Sequence, residues 1–323
     1  MDRLGFKATD PDMRCHGMQF KMGTVHRHGS KLELCKSGFH FCLQLIDVPK
    51  YYVFSKSRVF IVQHGAHVLS GDDKCVTDEI VFLREITGES IQDLMTAPEY
   101  QKLMSENTAG LLWLFEARSD AETVRYLLDH GADVHAADDD ALRYASANGH
   151  RDVVAVLLEH GANVHAKDDH ALRVASANGY KDVVALLLQH DANVHADNDT
   201  SLRWASENGH TDIVGLLLDH GADVHAADDY ALRRASGNGH TDIVGLLLDH
   251  GADVHTNDDE ALRWASGSGH KDIVGLLLDR GADVHTRNDW ALKCASHNGH
   301  TDIVGLLLDH GADVRVDALV SQG

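Results

Sequence analysis

Apolar residues along the last two thirds of the chain fall into one recurring spacing. Ile243, Val244, Leu247 and Leu248 lie on one stripe of a 3.6-residue helix, and Ala231, Leu232 and Ala235 form a smaller stripe just before it. The pattern predicts a first helix ending near Gly239, a tight turn, and a second helix ended by Gly251, with His250 in its last turn. Asp228 and Asp229 stand before the first helix as N-cap candidates. From Asp138 onward this unit returns every 30 residues without insertion: residues 211–225 reappear unchanged at 241–255, and up to Val314 at 301–314. A divergent copy at 108–137 keeps Val124, Leu127, Leu128, Gly131, Ala132 and Asp133. Seven units follow: 108–137, 138–167, 168–197, 198–227, 228–257, 258–287 and 288–317, with a tail at 318–323. One helix pair cannot bury its apolar faces alone, so the copies must stack into a mainly α solenoid.

Residues 1–107 do not repeat. Alternating or β-branched stretches at 19–25, 58–68 and 76–86 predict strands, and 43–52 and 89–104 are helical candidates. The expectation is a small α+β N-terminal domain at 1–107 whose last helix feeds the array at 108–317.

The run from Gly239 and His240 through Ile243, Val244, Leu246, Leu247 and Leu248 to Gly251, Ala252, Asp253 and Val254 resembles the second half of an ankyrin repeat, and it recurs six times. The first half departs from that family, whose units usually have 33 residues and a T-P-L-H-x-A start. Here the corresponding stretch is Tyr230-Ala231-Leu232-Arg233-Arg234-Ala235, without proline, with Arg or Lys at the histidine position and a loop three residues shorter. The resemblance implies an ankyrin-repeat solenoid acting as a non-catalytic protein-binding scaffold or adaptor. The short loop implies a stunted β-hairpin finger, which shifts the expected contact surface to the first helices. Uninterrupted 30-residue copies also resemble the ankyrin-repeat proteins of giant DNA viruses of amoebae, which would make the chain a viral protein acting on a host.

Comparison of the copies separates scaffold positions from free ones. One variable column reads Asp140, His170, Thr200, Tyr230, Glu260, Trp290, and a second reads Tyr144, Val174, Trp204, Arg234, Trp264, Cys294. They lie four residues apart, on one helix face. A weaker third follows at Ala147, Ala177, Glu207, Gly237, Gly267, His297. Aromatic residues and arginine dominate binding hot spots, so the candidate partner-binding residues are Trp204, Tyr230, Arg234 and Trp264, with Tyr144 and Trp290. The plainer alternative is that these side chains cover gaps between repeats.

Net charge is −21, of which residues 1–107 carry −1 and residues 108–323 carry −20. So acidic a surface repels phosphate backbones and disfavours nucleic acid. No apolar run reaches the ~18–20 residues of a membrane span. The N-terminal residues mix both charges and do not read as a secretory signal. Five cysteines are read as thiols of a reducing compartment, which places the protein in the cytoplasm, the host's if it is viral.

Two histidine columns run through the array. His135, His165, His195, His225, His255 and His285 recur in the loops, and His150, His210, His240, His270 and His300 at the Gly-His site. Spaced one repeat apart, they read as loop hydrogen-bonders rather than common ligands of one metal, and as a source of pH sensitivity. The Asp pairs read as caps and solubilising charge, or as attraction for a basic partner. Asp191 replaces the terminating glycine of its unit and marks a weak joint, while the last unit keeps the interior pattern, which suggests self-association through an uncapped end. In the N-terminal region, Cys15, Cys35, His40 and Cys42 are a candidate zinc set of unusual spacing. His28-Gly29-Ser30, Gly38-Phe39-His40-Phe41 and Tyr51-Tyr52 faintly resemble ADP-ribosyltransferases, with Glu79 or Glu85 as the acid, and imply an alternative in which an N-terminal enzyme is targeted by the array. No cofactor is expected for the scaffold.

Overall fold

A computed structural model describes residues 4–15, 18–27, 39–45, 48, 57–66, 68–71, 74–77, 79–107, 110, 112, 114 and 118–313. The chain divides into two compact units: Met1–Ala145 with His150–Asn163, and Ser146–Gly149 with Val164–Gly323.

The first unit opens with strands. β1 (Leu4–Thr9), β2 (Arg14–Cys15), β3 (Met18–Gln19), β4 (Val25–Arg27), β5 (Phe39–Phe41), β6 (Arg58–His64), β7 (Val68–Ser70), β8 (Cys75–Thr77) and β9 (Glu79–Glu85) form antiparallel sheets of order β1-β6-β9-β4, β2-β3 and β5-β8-β7. Phe20, Phe41, Phe60, Val62, Cys75, Ile80 and Phe82 close into one apolar core. The strand expectations at 58–68 and 76–86 fall on β6 and on β8 with β9. That at 19–25 touches only the ends of β3 and β4, and residues 46–47 and 49–52 of the helical candidate at 43–52 lie outside the described residues. Two short helices, Ile91–Thr96 and Gln101–Ser105, follow. Half-buried Arg118 then joins sheet to helices, donating from Nη1 to the Ile86 carbonyl at 3.1 Å and from Nη2 to that of Ser57 at 3.0 Å. Asp120 caps the helix Ala121–Asp129, accepting from the Thr123 N–H at 3.0 Å.

Helix pairs then recur. In the second unit, the helix Ala226–Asn238 precedes Thr241–Asp249, and Thr256–Ser268 precedes Lys271–Asp279. Ile243, Val244 and Leu247 are fully buried, as are Ile273, Val274 and Leu277. The mainly helical repeat expected from the apolar spacing is present.

The loop differs from expectation. Asp228 and Asp229 do not cap the first helix; they belong to a single left-handed turn. Ala227 (φ 56, ψ 46), Asp228 (φ 55, ψ 58) and Asp229 (φ 48, ψ 39) lie consecutively in the left-handed region, and the same three positions do so in every unit from 137–139 to 287–289. Left-handed backbone costs an L-residue about 1–2 kcal/mol, least for Asn and Asp. Two side chains hold the turn. Arg233 donates from Nε to the Asp228 carbonyl at 2.9 Å and from Nη2 to that of Ala227 at 3.0 Å; Arg173, Arg203 and Arg263 repeat this fork. Arginine thus stands at the family's histidine position because the turn leaves two adjacent carbonyls that a planar fork can reach.

The second side chain is the third residue of the turn. Asp229 is buried, and its Oδ1 accepts from His225 Nδ1 of the preceding repeat at 3.1 Å and from the Asp253 backbone N–H, in the loop that closes its own repeat, at 2.8 Å. Asp169, Asp199, Asp259 and Asp289 make the same pair of bonds in the second unit, and Asp139 does so with His135 and Asn163 in the first.

The second histidine column closes the other end of the first helices. Gly239 ends its helix at φ +86, and the ring of His270 covers it so closely that an added Cβ would lie 2.7 Å from Cε1. His240 Nε2 donates to the Glu207 carbonyl at 3.0 Å, which also accepts from Asn238 Nδ2 at 2.8 Å. Asp191 takes the left-handed terminator conformation at φ 63 despite its Cβ.

Candidate functional site

The variable columns lie on the first helices, whose register the left-handed turns and histidine contacts fix. In the second unit, Tyr230 and Arg234 stand one turn apart on Ala226–Asn238, and Trp264 stands on Thr256–Ser268. Tyr230 and Arg234 come together on Glu207 of the preceding repeat, and Trp264 meets Arg234 from the next one. Arg234 Nε donates to Glu207 Oε1 at 2.9 Å, its Nη2 reaches the same oxygen, and the Tyr230 hydroxyl donates to Oε2 at 3.0 Å. The guanidinium carbon lies 5.6 Å from the Tyr230 ring centre and 5.4 Å from that of Trp264. Arg203 and Arg233 approach the Tyr230 ring at 5.6 Å each.

The electrostatics follow from this packing. The Glu207 hydrogen bond holds the Arg234 guanidinium above its ordinary pKa, so it stays charged. Burial, and then Glu207, push the Tyr230 hydroxyl up, so it stays a donor. The Trp264 ring seats over Gly237, where an added Cβ would meet Cε3 at 3.1 Å. Its neighbours in the columns are more open: Trp204 is 37% exposed and Trp290 48%. Thr200 is buried, Glu260 pairs with Arg233, and burial raises the Cys294 thiol. Tyr144, 42% exposed, belongs to the first unit.

Of the candidates read from the sequence, the structure thus joins Tyr230, Arg234 and Trp264 and leaves Trp204 and Trp290 open. The variable columns disclosed the aromatic residues. They did not disclose Arg203 and Arg233, because those arginines sit at the constant position that holds the turns.

The N-terminal candidates are only partly described. Cys35 lies outside the described residues, as do His28, Gly29, Ser30, Gly38, Tyr51 and Tyr52. Cys15, His40 and Glu79 fall in β2, β5 and β9, and Cys42 is buried. Glu85 is engaged by Arg58, whose Nε and Nη2 meet its two carboxylate oxygens at 2.9 and 2.6 Å. Among the described residues no group of three or more His, Cys, Asp or Glu is placed to hold a metal ion. No helix among them is long and apolar enough to cross a membrane.

Stacked helix pairs with a variable face on the first helices define a helical repeat protein. Ankyrin repeats (3 copies) match residues 87–168, 167–228 and 232–318, well over half of the sequence. The chain belongs to the ankyrin-repeat family. Residues 3–94 match a domain of unknown function (DUF7666). No curated protein matches the chain.

Proposed function

We propose that this protein is a non-catalytic protein-binding scaffold or adaptor whose contact surface is the first-helix face bearing Trp204, Tyr230, Arg234, Trp264 and Trp290, with Tyr144 as the corresponding residue of the first unit. Ankyrin repeats generally mediate protein–protein interaction, and the family is typically non-catalytic. The observation that carries the reading is the pinning of Tyr230 and Arg234 by Glu207 beside open indoles. A cluster already held in one geometry loses little side-chain entropy on binding, and aromatic and arginine side chains supply most of the energy at such surfaces. A cytoplasmic setting, the host's if the protein is viral, is part of the proposal.

The test uses the full chain as bait, beside a variant with Trp204, Tyr230, Arg234 and Trp264 all replaced by alanine. The wild type should retain a specific protein that the variant loses, with both giving the same helical circular dichroism. Equal retention by the two baits would end this assignment of the surface.

A second reading has its own observation. Leu308, on the last helix Thr301–Asp309, is 37% exposed, whereas its counterparts Leu218 and Leu278 are 7% and 8% exposed. An exposed leucine at this position favours self-association. Sedimentation of wild type against Leu308→Glu separates the readings: a concentration-dependent dimer lost in the variant supports assembly, and a monomer in both supports the scaffold alone.

A further inference from the structure

The chain's own Arg234 shows what this face accepts. Its guanidinium lies between the rings of Tyr230 and Trp264 while Glu207 takes its N–H groups. Trp204 occupies the position of Arg234 one repeat earlier, and Trp290 the position of Tyr230 two repeats later. Both indoles are exposed. The same columns that hold one guanidinium internally therefore offer two further ring faces over which no cation among the described residues lies.

The charges around them select the sign of the visitor. Arg173 pairs with Asp197, Arg233 with Glu260, Arg234 with Glu207 and Arg287 with Asp258. Arg203 and Arg263 are committed to turn carbonyls. These arginines are thus committed to internal partners, while residues 108–323 carry a net −20. An acidic or phosphorylated segment would meet repulsion, and a basic one is drawn in.

We propose that the partner presents an extended, arginine-bearing segment whose guanidinium groups stack on Trp204 and Trp290. The proposal rests on the reading of this face as the contact surface. It specifies arginine rather than lysine. A guanidinium is planar and weakly hydrated and stacks on an indole, whereas an ammonium is a strongly hydrated point charge that gains mainly from the acidic field. Two stacks and their loss of hydration amount to about tenfold in affinity.

The experiment titrates the full chain with two synthetic peptides of equal length and charge, one alternating Arg with Ser and the other Lys with Ser. Binding is read by tryptophan fluorescence and calorimetry at physiological salt. Trp204→Leu/Trp290→Leu is the variant, since both side chains are exposed, and circular dichroism checks its fold. The expected result is at least a tenfold preference for the arginine peptide in the wild type, reduced to near parity in the variant. Equal affinity for the two peptides, or a preference that survives in the variant, overturns the proposal. If the arginine peptide fails to bind while the four-alanine chain still loses its captured partner, the scaffold reading stands and the arginine assignment falls.

Discussion

The carboxylate of Asp229 binds the backbone N–H of Asp253, 24 residues onward, at 2.8 Å, and so ties the turn that opens the repeat to the loop that closes it through a buried side chain. His225 Nδ1 and Thr256 Oγ1 satisfy the same carboxylate at 3.1 and 2.9 Å. Burying a carboxylate costs free energy unless its lone pairs are met, and here three donors from two repeats meet them. Replacing Asp229 by alanine leaves the Asp253 N–H without that acceptor. A loss of about 1–3 kcal/mol is expected in urea unfolding, whereas His225→Ala, at an exposed ring, should cost less.

The second helices carry a correctable weakness. Gly215, Gly245 and Gly305 lie in helix interiors with nothing within 4 Å of an added Cβ, and Gly275 meets only Leu306 Cδ2 at 4.0 Å. The equivalent positions in two earlier units are Ala155 and Ala185. Each Gly→Ala change should stabilise the array by about 0.5–1 kcal/mol through backbone entropy. Thermal melts of the single and fourfold variants check both sign and additivity.

Two positions break the hydrogen-bond ladder. The Gly237 carbonyl accepts from His270 at 3.1 Å, and Ser268 stands where other units place an asparagine such as Asn238 or Asn298. Lys293 stands where the other units place the arginine fork. Ser268→Asn and Lys293→Arg should each add about 0.5–1 kcal/mol, read as slower amide hydrogen exchange in residues 256–268 and 286–297 respectively.

The first unit has a pH-dependent contact. His160 places Nε2 3.0 Å from Asp129 Oδ1 and Nδ1 2.7 Å from the Val156 carbonyl, so its protonated form satisfies both acceptors. The Asp129 hydrogen bond raises the His160 pKa from its ordinary 6.5, and the His160 hydrogen bond lowers that of Asp129 from 3.8. The histidine contribution is complete below its unfolded pKa and is lost as pH rises through its raised folded value. The aspartate contribution is complete above 3.8 and is lost as pH falls through the depressed value. The pair is therefore strongest between about pH 4 and 6.5. Wild type and His160→Ala should differ most in melting temperature inside that window and converge as pH rises through the raised histidine value.

Much of the fold was legible because Ile243, Val244 and Leu247 mark a buried stripe and the copies repeat without insertion. The turn was not. Asp before a helix ordinarily reads as a cap, and a run of three left-handed residues is too costly to expect from local preference. Its signature was present all the same: Asp or Asn at 228 and its equivalents, with Arg five residues later at 233. The proposed contact face was half legible, since comparing copies isolates Trp204 and Trp264. The clustering of Tyr230 and Arg234 around Glu207 depends on the offset between neighbouring repeats, which one unit's sequence does not contain.

Hydrogen exchange on the full chain with its captured partner bound tests the scaffold account most directly. The account predicts slowed exchange in the first helices Ala196–Glu207, Ala226–Asn238 and Thr256–Ser268, with the second helices Thr211–Asp219, Thr241–Asp249 and Lys271–Asp279 unchanged. Protection confined to the second helices, or to residues 4–105, would contradict it.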